Sequence, residues 1–273
     1  MITINQLGYH YSKSEPILED ISIEFAPGII YGLLGKNGVG KSTFIKNLTG
    51  MLFPTTGSCN VFGYSPKDRE VEFLKNLFFV PEEYYLPNIS IQQFVNIYRN
   101  FYPSFDMDQF KNYLETFEIN PSKKTSRLSL GQKKKVIIGF ALATNTKVLI
   151  MDEPTNGLDI PSKVIFRNMV KEAFNEDRIV IITSHQVRDL DELIDTIIIM
   201  DNGKILFNEL RDDIARKWQF HISPVPLHLP NAIYDEKVSN GFASITENKG
   251  DQPGYVDIEL LFNAVLANQL HPS

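Results

Sequence analysis

The nine residues "GKNGVGKST", Gly35 to Thr43, restrict the possible folds more than any other stretch of the chain. They satisfy G-x-x-x-x-G-K-[ST] through Gly35, Gly40, Lys41 and Ser42. An apolar run, "IIYGLLG" (Ile29 to Gly35), precedes them. The helical pattern Phe44, Ile45, Leu48, Met51 follows, with Gly50 and Pro54 as stop signals. Strand, glycine turn and helix in that order make a phosphate cradle: the glycines let amides turn inward, and the helix aims its positive end at the same point. The loop Gly35, Lys36, Asn37, Gly38, Val39, Gly40, Lys41, Ser42 and Thr43 is therefore a candidate nucleotide site. Lys41 would reach the β- and γ-phosphates, and the Ser42 hydroxyl would hold Mg²⁺.

Three further apolar runs, "KVLIM" (147–151), "RIVIIT" (178–183) and "TIIIM" (196–200), alternate with helical segments. Near-continuous Ile/Val runs in that arrangement predict an α/β fold with a buried, largely parallel sheet. The first residues instead alternate (Ile2, Ile4; Ile21, Ile23, Phe25), which predicts half-buried strands with a Pro27-Gly28 turn after them. From about Pro81 to Thr125 the chain turns aromatic and helical, with a capping box at Ser90 and Gln93 and breaks at Pro103 and Pro121. After Glu209 a proline-punctuated stretch, a hairpin signal at Asn240-Gly241 and the amphipathic "VDIELLFNAVLANQL" suggest a small α+β appendage. The expected division is residues 1–209 and 210–273.

Composition narrows the function classes. The net charge of −6 gives no support for nucleic-acid binding. The single cysteine, Cys59, excludes an internal disulfide and fits a reducing compartment. No run of about 18 apolar residues occurs, and "MITINQLGYH" lacks the features of a signal peptide. A cytoplasmic location is expected, with any membrane role exerted through a partner.

Three stretches add chemistry to the phosphate loop. "KVLIMDEPTNGLD" ends a buried strand in Asp152, where a carboxylate can anchor Mg²⁺, and the adjacent Glu153 can orient or deprotonate water. Such a pair can also be ordinary solvated loop residues. "TSH" brings His185 to the end of another strand of the same sheet. In "RLSLGQKKK", Ser129 to Gln132 fits an S-x-x-Q capping box, which explains the stretch as a helix start and also makes an anion site of it. Lys133, Lys134 and Lys135 are expected on a solvated face.

Taken together, the phosphate loop, "RLSLGQ", the Asp-Glu pair, "GLD" and "SH" resemble, in order and spacing, the nucleotide-binding subunit of ATP-binding-cassette transporters over roughly residues 1–209. The resemblance implies a P-loop NTPase (RecA-like) core with an antiparallel β subdomain and a helical insert at about 82–138. It implies ATP and Mg²⁺ as cofactors, with Lys41, Glu153 and His185 catalytic and Ser42 and Asp152 on the metal. It also implies a head-to-tail dimer, with itself or with a sister subunit, in which Ser129, Gly131 and Gln132 cap the nucleotide of the other copy. Tyr11 matches an adenine-stacking aromatic, with Tyr9 as competitor and a strand-edge tyrosine as the plain alternative. Asp159 matches a loop between the two sites, or simply caps the next helix.

Two positions depart from the family pattern. Leu130 replaces a signature glycine, at little cost if it points away from the nucleotide, and Glu82 stands where a Mg²⁺-sensing glutamine is usual. Glu82 is therefore a third candidate metal ligand, one that also adds negative charge near the γ-phosphate. The resemblance places the aromatic insert beside the groove where an integral membrane subunit would dock, although a stripe of Phe and Tyr reads first as core. The phrase "FYPSFD" is closest to the exporter-type branch serving antibiotics and lipids. The rival function is a soluble cassette ATPase assembling complexes, of the iron–sulfur scaffold type. A chromosome- or ribosome-acting cassette would need a coiled-coil insertion or a second cassette, and no N-K-x-D guanine motif supports a GTPase.

Overall fold

Alternation at the start of the chain builds an antiparallel layer. In the computed structural model, which describes residues 1–12, 15–226, 229, 231–239, 241–250 and 252–270, Ile2, Ile4 and Leu7 of β1 (Ile2–Ser12) are buried. So are Ile21, Ile23 and Phe25 of β2 (Glu15–Phe25), which pairs antiparallel with β1. The chain then enters β3 (Ile29–Leu34), the glycine turn and α1 (Lys41–Leu48). Gly50 follows α1 at φ 67°, the left-handed conformation that ends a helix. Met51 lies beyond that end and is exposed, so the expected apolar face stops at Leu48. β4 (Thr56–Val61) returns to β1, giving the sheet order β2-β1-β4.

After α2 (Val71–Lys75) and β5 (Leu77–Val80) comes the helical insert. α3 (Ile91–Tyr98) starts at the Ser90–Gln93 capping box, and Asp106 caps α4 (Met107–Thr116). α5 (Leu130–Ala143) carries the second capping box, Ser129 with Gln132, and buries Val136 to Ala143. There follow β6 (Val148–Asp152), α6 (Ile160–Ala173), β7 (Ile179–Ser184), β8 (Thr196–Asp201) and β9 (Lys204–Leu210).

The central sheet has the order β5-β6-β7-β3-β8-β9, parallel except at β9. Because side chains alternate along each strand, it feeds two cores. Leu33, Ile150, Ile181 and Ile198 face the antiparallel layer and α1, whereas Leu34, Leu149, Ile182 and Ile199 face the insert and α6. At about 1.5–3 kcal/mol for each fully buried Ile or Leu, these faces supply much of the stabilisation.

Residues past 210 form α7 (Arg211–Lys217), β10 (Trp218–Ser223), β11 (Ala232–Val238), β12 (Gly241–Glu247) and α8 (Ile258–Leu266). The strands order as β10-β12-β11, and β11 pairs with β12 out to Val238 opposite Gly241; Asn240 lies outside the described residues. Ala243, Ile245, Ile258 and Leu261 join the same apolar cluster as the insert.

Candidate active site

Three neighbouring parallel strands bring the chemistry to one edge. β6, β7 and β3 are consecutive in the sheet, with Asp152 opposite Thr183 and Ser184 opposite Leu34. Glu153, His185 and the phosphate loop therefore leave the sheet side by side, at the carboxyl end where such sheets bind ligands. In the loop, Gly38 and Gly40 hold φ of 83° and 110°, and a Cβ at Gly35 would lie 2.6 Å from the Met200 carbonyl oxygen. No side chain caps α1, so its first amides face the cradle without a capping acceptor.

Lys41 is buried and curls over this loop. Its Nζ donates to the carbonyls of Gly35 (2.7 Å) and Lys36 (3.1 Å) and lies 3.8 Å from Glu153 Oε1. Burial lowers its pKa, against the opposing pull of Glu153, Asp152 and Glu82. Glu153 is itself 4% exposed and held at φ 48°. Its Oε2 is 2.9 Å from His185 Nδ1, close enough for an ion pair but without the directional geometry of a hydrogen bond. Burial raises the Glu153 pKa, while His185 and Lys41 pull it back. Neither carboxylate oxygen has a hydrogen-bond donor, so a buried acceptor points into the site with capacity left for a ligand or water.

One residue here carries more than its sequence context announces. The Thr183 hydroxyl donates to Asp152 Oδ1 and accepts from the Glu153 amide at 3.0 Å, joining β7 to the acidic end of β6. The only signal for it was a hydroxyl one residue before the end of an otherwise aliphatic strand.

The remaining candidates lie around this edge. Ser129 Oγ accepts from Gln132 N, and Gln132 Oε1 accepts from Ser129 N, both at 3.2 Å, on an exposed helix start. A Cβ on Gly131 would sit 3.2 Å from the Gly157 carbonyl oxygen, so the start of α5 abuts the loop after β6. Leu130 is 82% exposed and lines a groove of about 500 Å³ with Tyr84, Tyr85 and Leu86. Glu82 Oε1 accepts from Asn156 Nδ2 at 3.1 Å. Asp159 caps α6, accepting from Ser162 N at 2.9 Å; hydrogen bonding from the Ser162 side chain, and then from its backbone amide, holds its carboxyl below the usual range. Tyr11 is exposed; its ring meets Tyr9 edge-on at 5.0 Å, and its hydroxyl lies 3.4 Å from Thr43 Oγ1.

Residues 18–156, about half of the chain, match the sequence pattern of the ABC transporter family. The chain belongs to that family. It is 28% identical over 222 residues to the ABC transporter ATP-binding protein YtrB of Bacillus subtilis, covering 79% of this chain and 75% of YtrB. It is also 28% identical over 246 residues to the energy-coupling factor transporter ATP-binding protein EcfA2 of Staphylococcus aureus, covering 81% and 85%. A solved ATP-binding subunit of an ABC transporter superposes with a TM-score of 0.71, covering 79% of this chain and 92% of that one at 23% identity.

As an ABC transporter subunit with the P-loop NTPase fold, the chain is an ATPase. The donor set suits Mg²⁺ bound with a nucleotide. Asp152 and Ser42 offer hard oxygens, and among the described residues no three His, Cys, Asp or Glu gather to make a cage of their own. Nucleotide-bound Mg²⁺ in general needs no such cage, only one or two protein oxygens plus phosphates and water. Lys134, expected on a solvated face, is 5% exposed, and its Nζ donates to the Glu153 carbonyl at 2.9 Å. Position on a helical wheel fails here because the loop after β6 covers that side of α5.

Proposed function

We propose that this ABC ATPase closes with a second cassette around ATP and drives a membrane subunit carried on another chain. The observation that carries the reading is the buried Glu153 carboxylate, without a hydrogen-bond donor and set between Lys41 and His185 beside the phosphate loop. In the proposed cycle the amides of Gly35–Thr43 and the Lys41 ammonium bind the triphosphate, and Tyr11 stacks on the adenine. Glu153 orients water or takes its proton, while His185 stabilises charge on the γ-phosphate. Ser42, Asp152 and Glu82 would hold Mg²⁺; when bound, the ion neutralises charge on the phosphate oxygens. Ser129, Gly131 and Gln132 cap the nucleotide of the opposite subunit, which is a second copy or a sister chain, and Asp159 lies between the two sites.

Support for a separate membrane chain comes from YtrB and EcfA2, which by name are ATP-binding proteins of transporters and are matched over 75% and 85% of their lengths. No helix of the described residues is long and apolar enough to cross a membrane. The subunit would then sit at the inner face of the membrane through that partner. We extend the reading to export on the resemblance of the insert at 82–138, and to residues 210–273 as an accessory unit braced on the core. Reconstituting the co-purified membrane protein in vesicles with ATP outside, and measuring which way cargo moves, checks the direction.

Glu153→Gln tests the mechanism. It keeps the shape of the site and removes the base, so ATP affinity should hold while kcat falls at least about 10²–10³-fold. The variant should also run as a dimer with Mg-ATP in size-exclusion chromatography. Near-normal turnover would remove Glu153 from this role.

A further inference from the structure

The buried Lys134 side chain reaches the backbone of the catalytic residue itself. The Glu153 peptide is held in a left-handed conformation that residues with side chains disfavour. Its carbonyl accepts two bonds, from Lys134 Nζ at 2.9 Å and from the Asn156 amide at 3.3 Å. The side chain of that same Asn156 donates to Glu82. Glu82, Lys134 and Asn156 line one groove beside the catalytic edge. Lys134, Glu153, Asn156 and Glu82 thus form one connected set, and its ends carry opposite charges.

The charges around the site explain why a buried ammonium is tolerated. Burial is the main influence on Lys134 and lowers its pKa. Of the carboxylates that oppose this, Glu82 acts most strongly, ahead of Glu153 and Asp152. Glu83 and Lys133 line the same groove, while Lys41 and His185 are directed at the Glu153 carboxylate.

We infer that Lys134 is a positioning residue for Glu153: its ammonium fixes the Glu153 carbonyl and offsets the charge of Glu82 across the loop that Asn156 ties down. The signature helix α5 is thereby fastened to the catalytic residue of its own subunit. This deepens the ATPase reading and rests on it.

The test is a four-member cycle on the full-length protein: native, Glu82→Gln, Lys134→Met and the double variant, with kcat and KM for Mg-ATP measured separately and melting temperature as the folding control. Lys134→Met should lower kcat about tenfold with KM for ATP within about twofold, because the base is misaligned while the phosphate cradle is intact. Adding Glu82→Gln to Lys134→Met should recover at least about threefold in kcat, whereas Glu82→Gln in the native background should not raise it. A purely structural lysine would give no such recovery. Native kcat in Lys134→Met, or an equal effect of Glu82→Gln in both backgrounds, overturns the inference. Should Lys134→Met not fold, Lys134→Gln carries the same comparison. Failure of the underlying reading shows separately, as a native protein that does not hydrolyse ATP or a Glu153→Gln variant that does.

Discussion

Thr183 satisfies two groups with one hydroxyl, and that makes it the residue whose loss is easiest to interpret. Thr183→Val keeps the shape and the β-branched strand preference, so β7 should form as before. The Asp152 carboxylate then loses a donor and the buried Glu153 amide loses its acceptor. A stability loss of about 1–3 kcal/mol in urea unfolding is expected. The fall in kcat should be larger than that loss accounts for, roughly 10–100-fold with ATP affinity nearly unchanged, because Asp152 and Glu153 are both left free to turn. Cys59 offers the opposite case, a reactive group silenced by its surroundings. Burial pushes its thiol from 9.0 up to about 12, so at a given pH well below 9 thiolate is about a thousandfold rarer in the folded chain than in the unfolded one. Iodoacetamide at pH 8 should label the native protein only as fast as it unfolds. The linkage has one sign: between pH 9 and 12 the unfolded chain has released a proton that the native one keeps. Cys59 therefore contributes stability that is present below pH 9 and is lost as pH rises toward 12.

At the scale of elements, α5 serves as both a packing unit and a tool. Its apolar run buries itself against the insert, and its first turn presents Ser129 to solvent. Ser129→Ala separates the two roles. Loss of the cap alone costs about 1 kcal/mol of stability. A serine that binds phosphate across a dimer would add a loss of ATP-driven dimerisation, read by light scattering with Mg-ATP in the Glu153→Gln background. Destabilisation without any loss of dimer would leave Ser129 a cap and nothing more. The start of this helix was legible in the sequence because its capping box is local. So were β3, β6, β7 and β8, whose aliphatic runs need no partner to be recognised, and with them the gathering of Lys41, Asp152, Glu153 and His185 toward one end of the sheet; the strand order that sets them side by side was not. β4 was not, since "TGSCNV" is short and mostly exposed and is a strand only because β1 offers an edge. β5 has four residues, too few to show a period. The Thr183 bridge, the buried Lys134 and the Asn156–Glu82 contact all depend on register between strands and on where one loop folds over a helix. No spacing within a single segment encodes such contacts.

For the molecule as a whole, the question is how tightly residues beyond 210 are joined to catalysis. The turn that follows His185 carries Val187 and Leu190, which are buried in the same cluster as Ile258 and Leu261 of α8. Polar ties run between the same parts. Arg188 Nε lies 2.6 Å from Glu259 Oε2, Tyr255 donates to Asp191 Oδ2 at 2.9 Å, and Arg211 Nη2 lies 2.7 Å from Asp191 Oδ1. The exposed Arg188–Glu259 pair has little to contribute in water, so Glu259→Ala should change stability by less than about 1 kcal/mol and leave kcat alone. Leu261, fully buried, is different: Leu261→Ala should destabilise by about 2–5 kcal/mol. Because α8 packs against the turn that follows His185, kcat should fall in Leu261→Ala at temperatures where the protein is still folded, with ATP affinity at the phosphate loop preserved. The contrast between the two variants decides the matter. If Leu261→Ala loses stability but keeps native kcat below its transition, the C-terminal helix only adds to the core. A fall in kcat confined to Leu261→Ala makes packing, rather than surface charge, the link between this end of the chain and the histidine.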